Sequence, residues 1–481
     1  MFLLPAALYA QNTFTVSGTV MDVNGKEIPA VSVSLKGLTG RGTNTDNDGH
    51  FSMQNVQTGA VLIFSHINYN TYELPIQGSK EKIKVVLEQK INSNDEVVVV
   101  GRGAQRKITT TGAVTSVDPK DLQLPATSVS NMLGGRVPGI ISVTRSGEPG
   151  SDFSEFWVRG ISTFGASSAA LILIDGVEGN LNNIDPSDIE SFAILKDASA
   201  TAVFGVRGAN GVVTITTKRG KAGALKVNFR ANTTLTQSAR MPEYVDSYNY
   251  ALLANEARTA RGQSAIYSDV ELELFKTGLD PDLYPDVKWR DVILKDRSRY
   301  DQYNLNVSGG GTNARYYMSL GYMNKEGIFK QDFSVNKYDV NTNYKKFNFR
   351  ANMDVDLTRT TKLSLLMDDA IVKQGAPAFG TENNNYLWAS QASIVPVAVP
   401  IKYSNGQLAA FGAGGTDLTP YYLLNYTGFR KTDANTINAK LNLDQDLRFI
   451  TPGLSARGLF SWTYAGSNAA IHAKIGADAY R

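Results

Sequence analysis

From Leu225 onward, stretch after stretch alternates apolar and polar residues with a period of two, and few folds accept that pattern. Leu225, Val227, Phe229, Ala231 and Leu235 fall on one face of an extended strand, with Lys226, Asn228, Arg230, Asn232 and Thr234 on the other. Phe347, Phe349, Ala351, Met353, Val355 and Leu357 repeat this against Asn348, Arg350, Asn352, Asp354 and Asp356. Ile437, Ala439, Leu441, Leu443 and Leu447 do so against Asn438, Lys440, Asn442, Asp444, Asp446 and Arg448. Side chains of a strand point alternately to its two faces, so each stretch has an apolar face backed by a charged one.

The pattern predicts strands near 225–236, 300–308, 314–323, 345–357, 362–372, 436–449 and 454–464. Connections at Gly309–Asn313, Thr358–Thr361 and Ile450–Gly453 are short, whereas those at 237–299, 324–344 and 373–435 are long. A soluble sandwich alternates too. Short turns alternating with long loops favour a transmembrane β-barrel, lipid outside and water inside. Tyr300, Tyr322, Tyr344, Phe449 and Tyr464 stand near strand ends, as an interfacial girdle or as cross-strand pairs. No stretch approaches the ~18–20 apolar residues of a membrane helix. Seven strands leave two raw sheet edges, so the chain reads as a fragment of a longer gene product.

Lys and Arg number 48 against 45 Asp and Glu, so no nucleic-acid-binding surface is implied. Without cysteine there is neither a disulfide framework nor thiolate chemistry. His50, His66 and His472 lie far apart, which disfavours a metal or triad site, and no cofactor is expected. Residues 1–10, ending Leu8-Tyr9-Ala10, read as the remnant of a secretory signal with Ala10 before the cut, although the basic segment is missing. Residues 12–90 read as a β-sandwich, with strands at Phe14–Val20, Val31–Leu35, Val61–Phe64 and Ile83–Leu87 and a turn-bearing stretch at Thr45–Phe51. Asp46, Asp48 and Gly49 read as turn chemistry, because the other ligands of a calcium loop are absent.

Residues 91–106 form a linker holding Asp95, Glu96, Val97, Val98, Val99, Val100 and Gly101. Four valines favour an extended backbone, and the flanking acids and glycine keep it soluble. By local pattern this is an edge strand able to pair with another sheet. Residues 107–221 read as a compact α/β unit. Leu171–Ile174 ends in an Asp175-Gly176 turn, and Asp185-Pro186-Ser187-Asp188 opens a helical turn that Asp185 caps and whose dipole Asp188 complements. Small residues fill Asp197–Phe204, and Gly208–Gly211 turns the chain into Val212–Thr217.

Ile174–Val177, Asp188–Ser191, Leu195–Ser199, Phe204-Gly205, Ala209–Gly211 and Ile215–Gly220 stand in the order found in the plug of the SusC/RagA-type TonB-linked outer-membrane nutrient transporters, which this unit resembles. Asn131–Ile140 and Val158–Ser162 fit the same plug. Arg159, Gly160, Asp175, Gly176, Lys196, Asp197, Gly205, Asn210 and Gly211 carry its motif. The resemblance implies that residues 12–90 are a carboxypeptidase regulatory-like, prealbumin-like domain and that Asp95–Gly101 is a TonB box, with Arg102 replacing the family's usual Tyr. Residues 223–481 are then the first strands of the barrel. The implied whole is a mainly β protein of the bacterial outer membrane, with the N-terminal domain periplasmic. Its partners would be TonB, a SusD-like surface lipoprotein, outer-membrane lipid and an oligosaccharide or peptide substrate. A non-transporting receptor or adhesin and an inactive fragment are the rival readings. No HExxH, GxSxG or Walker pattern points to an enzyme.

Overall fold

A computed structural model describes the chain except for residues 1–12, 23–24, 38–40, 77–79, 89–96, 101–102, 107–113, 119–123, 159, 161–168, 379–384, 413–416, 475–478 and 481. The signal-remnant reading of residues 1–10 therefore lies outside the described residues.

The N-terminal unit is a sandwich of two sheets. One joins His50–Gln57, Thr13–Asp22 and Lys80–Leu87, and the other Gly42–Asn44, Ser32–Leu35, Val61–His66 and Tyr69–Pro75. Alternate residues meet between them, with Val16, Val20, Val33, Leu62 and Phe64 fully buried. In the stretch Thr45–Phe51 a turn leads into the strand that starts at His50. Asp46–Gly49 is its turn: the N–H groups of Asp48 and His50 donate to Asp46 Oδ1 at 3.0 and 2.7 Å, and Gly49 takes φ +70°.

The second unit places an α/β plug against a β-wall. The plug's main sheet runs Val114–Val117, Ile189–Leu195, Val212–Thr217, Leu171–Ile174 and Val177–Glu178 in spatial order. A hairpin, Ile140–Thr144 with Ser154–Val158, stands apart from it. Ile189, Phe192, Ile194 and Val213 are completely buried under Val129, Leu133, Leu181 and Ile184.

The wall is a seven-stranded antiparallel meander of Gly223–Thr236, Ser298–Gly310, Ala314–Glu326, Asn343–Asp356, Thr361–Pro377, Gly428–Asp446 and Ser455–Ala473. Its first and last strands are open edges in this sheet. Register puts like on like: Phe229 faces Leu305, which faces Leu320, which faces Phe349, on the apolar side. The long connections hold structure of their own. Helices at Ser247–Thr259, Asp269–Thr277 and Trp289–Ile293 occupy the first, and Asn385–Ser393 and Pro420–Asn425 the last. Ile293, Phe329, Val340, Leu387, Leu423 and Leu424 form one loop core.

Two expected girdle residues turn the other way. Tyr300 and Tyr344 are each 3% exposed on the inner side of the wall, because they lie an even number of residues from Gln302 and Lys346 rather than from outward Tyr303 and Phe347. Tyr322 and Tyr464 do face outward, and Phe449 sits exposed in a turn.

Candidate functional site: the seam between plug and wall

Several motif residues lie where two plug elements meet. Asp175 and Gly176 take φ +51° and +83°, the two left-handed residues of a two-residue hairpin turn that pairs Ile174 with Val177. The turn aims the Asp175 carboxylate at the end of the neighbouring strand, where Thr217 donates its N–H at 3.0 Å and its hydroxyl at 2.8 Å. Two motif segments 42 residues apart in sequence are thus one structural device. Gly211 has φ +89°, and a methyl group there would lie 2.8 Å from Val158 Cβ. Gly160 and Gly205 also have positive φ, Gly205 breaking a run of 3-10 turns. Lys196 donates to the carbonyl of Pro138, Asp197 precedes the helical turn Ala198–Thr201, and Asn210 stands in the turn before Val212–Thr217. Arg159 lies outside the described residues. Lys196 is thus separate from the Asp175 cluster, and these motif residues do not converge on one pocket.

What converges is the seam. Asp188, fully buried, accepts from Arg350 Nε at 3.3 Å and from the Tyr317 hydroxyl at 2.9 Å. Arg350 also stands 3.6 Å from Asp368. Burial pushes the Asp188 carboxyl above the usual carboxylate range, and the Arg350 guanidinium pulls against that shift. Arg219 bridges Asp354 at 3.1 Å and Asp175 at 3.9 Å. Lys325 meets Asp152 at 2.6 Å, and the same carboxylate takes the Thr127 hydroxyl.

Around these ion pairs, wall side chains donate to plug carbonyls. Lys346 reaches Asn182 O at 2.9 Å, Asn348 reaches Asn183 O at 2.6 Å and Asn352 reaches Lys218 O at 2.7 Å. Tyr300 donates to Ala126 O at 3.0 Å, and Lys440 to Ile174 O. At the loop end, Trp388 Nε1 donates to Glu148 Oε1 at 2.6 Å. Here, then, the polar strand faces read as water-facing meet the plug.

The alternation predicted that Arg350, Asn352, Asp354 and Lys440 share the inner face but carried no sign of what they would touch. Asp188, read as a dipole-complementing residue, serves mainly as the buried partner of Arg350. The Pro186–Asp188 turn itself forms as expected, with Ser187 N–H donating to Asp185 Oδ1 at 2.8 Å. Of the linker, Val97–Val100 is a strand paired with Gly103–Arg106, whereas Asp95, Glu96 and Gly101 lie outside the described residues. The loop aromatics serve packing: Tyr284 stacks edge-on against Phe275 at 5.3 Å, and Trp388 lies 5.4 Å from Phe329.

This chemistry fixes one body against another through hydrogen bonds and ion pairs. Comparison with known proteins agrees. Residues 106–212 match the TonB-dependent receptor plug domain, and residues 16–99 match the CarboxypepD_reg-like domain. The chain is 35% identical over 377 residues to TonB-dependent receptor P26 of Formosa agariphila, covering 77% of this chain and 35% of that protein. It is 33% identical over 329 residues to TonB-dependent receptor SusC of Bacteroides thetaiotaomicron, covering 66% of this chain and 30% of that one. It thus spans about a third of the length of the curated relatives it matches. In fold it is similar to the RagAB peptide importer in its open-open state, with a TM-score of 0.60 at 23% identity over 78% of this chain and 43% of that one. Motif order, matched domains and fold together show that the chain belongs to the TonB-dependent receptors of the SusC/RagA type.

Proposed function

We propose that this chain belongs to a transporter that imports a nutrient across the bacterial outer membrane, driven by TonB. The observation that carries this is the seam: a plug held by buried polar bonds on the inner face of a sheet whose outer face is apolar. Such a body blocks a pore until it is rearranged. The outer membrane holds no nucleotide pool, so the work arrives mechanically. Asp95–Gly101 is the segment that TonB grips, with Val97–Val100 supplying an extended backbone for strand addition.

In this reading residues 12–90 are the carboxypeptidase regulatory-like domain on the periplasmic side, 91–106 the linker, 107–221 the plug and 223–481 barrel. The plug motif residues shape its turns rather than touch substrate. A SusD-like lipoprotein partner on the cell surface and an oligosaccharide or peptide substrate fit the family.

Deleting residues 95–101 from the complete transporter tests the proposal. Uptake of a labelled substrate is expected to vanish while binding to whole cells persists. Uptake that survives the deletion would leave a TonB-independent receptor or adhesin as the better reading.

A further inference from the structure

The outer face of the wall carries a feature that a lipid-facing surface does not need. Across the upper part of the sheet, Tyr303, Tyr322, Phe347 and Ile371 form one cross-strand row, and Leu305, Leu320, Phe349 and Asp369 form the next row down. Between them lies a cleft of about 340 Å³, floored by Gly321 and Asn348. Tyr303 and Tyr322 stack at 6.2 Å, and Tyr322 meets Phe347 at 4.9 Å. Among the described residues, Asp369 is the one acidic residue lining this cleft. Its Oδ1 has no hydrogen-bond partner among the described residues, and neither has Oδ1 of Asn435, which faces Ile371 in the row above. Asn324 Oδ1, beside Lys345 in the row above that, is a third such acceptor on this face, and acceptors without donors on a membrane face are open to a donor from outside the protein.

Directly above stand Lys345 and Lys373, exposed cross-strand neighbours. Neither is in an ion pair among the described residues; Asp433 faces Lys373 from the next strand. Four residues separate Lys373 from Asp369, about 13 Å along a strand and roughly 9 Å in depth at a 45° tilt. Bending of a lysine side chain shortens that gap to the spacing between the phosphate of a lipid and its first amide.

We propose that this patch binds one amide-linked phospholipid of the ceramide phosphate type, with its phosphate on Lys345 and Lys373, its amide N–H or adjacent hydroxyl on Asp369 and an acyl chain in the cleft. One basic pair and one cleft fit one phosphate and one chain better than a lipid with two phosphates and many chains. The inference rests on the outer-membrane reading above.

The test uses the complete transporter in nanodiscs containing equal amounts of ceramide phosphoethanolamine and phosphatidylethanolamine. The two share a headgroup, but the second has ester carbonyls in place of the amide and so no donor at that depth. Native mass spectrometry of the released protein should show the amide lipid retained roughly 2- to 10-fold over the ester lipid, the worth of one hydrogen bond. Asp369→Leu should abolish the preference, Asp369→Asn should keep part of it, and Lys345→Ala with Lys373→Ala should weaken retention of both lipids. Heat-modifiable electrophoretic mobility confirms that each variant is folded. Equal retention, a preference unchanged in Asp369→Leu, stronger retention of added lipid A, or a second protein copy covering the face would each overturn the proposal. Absence of the protein from outer-membrane fractions would overturn the import reading as well.

Discussion

A carboxylate removed from water must find its bonds inside the protein, and Asp188 finds them in Arg350 and Tyr317. Removing one partner leaves the other charge buried and alone. Arg350→Met is therefore expected to destabilise the seated plug by about 3–5 kcal/mol, while the double change Asp188→Leu with Arg350→Met costs less than the single one. Urea titration followed by hydrogen exchange in Ile189–Leu195 measures both. Gly220 argues similarly from space: a side chain there would run into the backbone of Tyr316, so Gly220→Val should leave the plug unseated and open to protease at sites protected in the parent. At this scale the sequence was partly readable. Asp175-Gly176 announces its turn by residue type alone. That Asp188 would pair with Arg350 was not readable, because 162 residues separate them and nothing local links them.

Elements were legible in proportion to how sharply their two sides differ in environment. Strands with lipid on one side and plug on the other alternate cleanly, and all seven were placed. The sixth was placed late, at 436 instead of Gly428, because Arg430–Asp433 is polar on both faces. Tyr69–Pro75 escaped notice because almost none of it is buried. The loop helices had signals that went unused: Ser268 and Glu271 form a reciprocal capping box, and Gly278 ends that helix in the left-handed conformation. In the upper loops, hydrogen bonds from Ser334 and Tyr421 hold the Asp332 carboxyl below its ordinary range. Its folded pKa lies below its unfolded one, so the stability it lends is complete above the ordinary aspartate value of about 3.9 and is lost as pH falls through the lowered value. Protection of the amides in 327–342 and 420–427, relative to their intrinsic exchange at each pH, should therefore fall below about pH 4, and Asp332→Asn should show the lower protection already at neutral pH.

For the whole molecule, the seam makes plug and wall one mechanical unit. Bonds to the plug come from each of the second to sixth wall strands, through Tyr300, Lys325, Arg350, Gln374 and Lys440, and from Trp388 in the loops. A bis-methanethiosulfonate crosslinker joining Asn182→Cys to Lys346→Cys, long enough to span the lysine side chain whose Nζ reaches Asn182 O, should abolish uptake, and reducing its disulfides should restore it, with surface binding unchanged throughout. Uptake that continues through the crosslink would mean the plug opens without parting from this side.

The same contacts bear on how such a protein is made. The strands that hold the plug follow it directly along the chain, so plug and wall are neighbours in synthesis as well as in space. The plug has no need to be threaded into a finished ring. It can dock on the sheet as the strands that hold it are laid down.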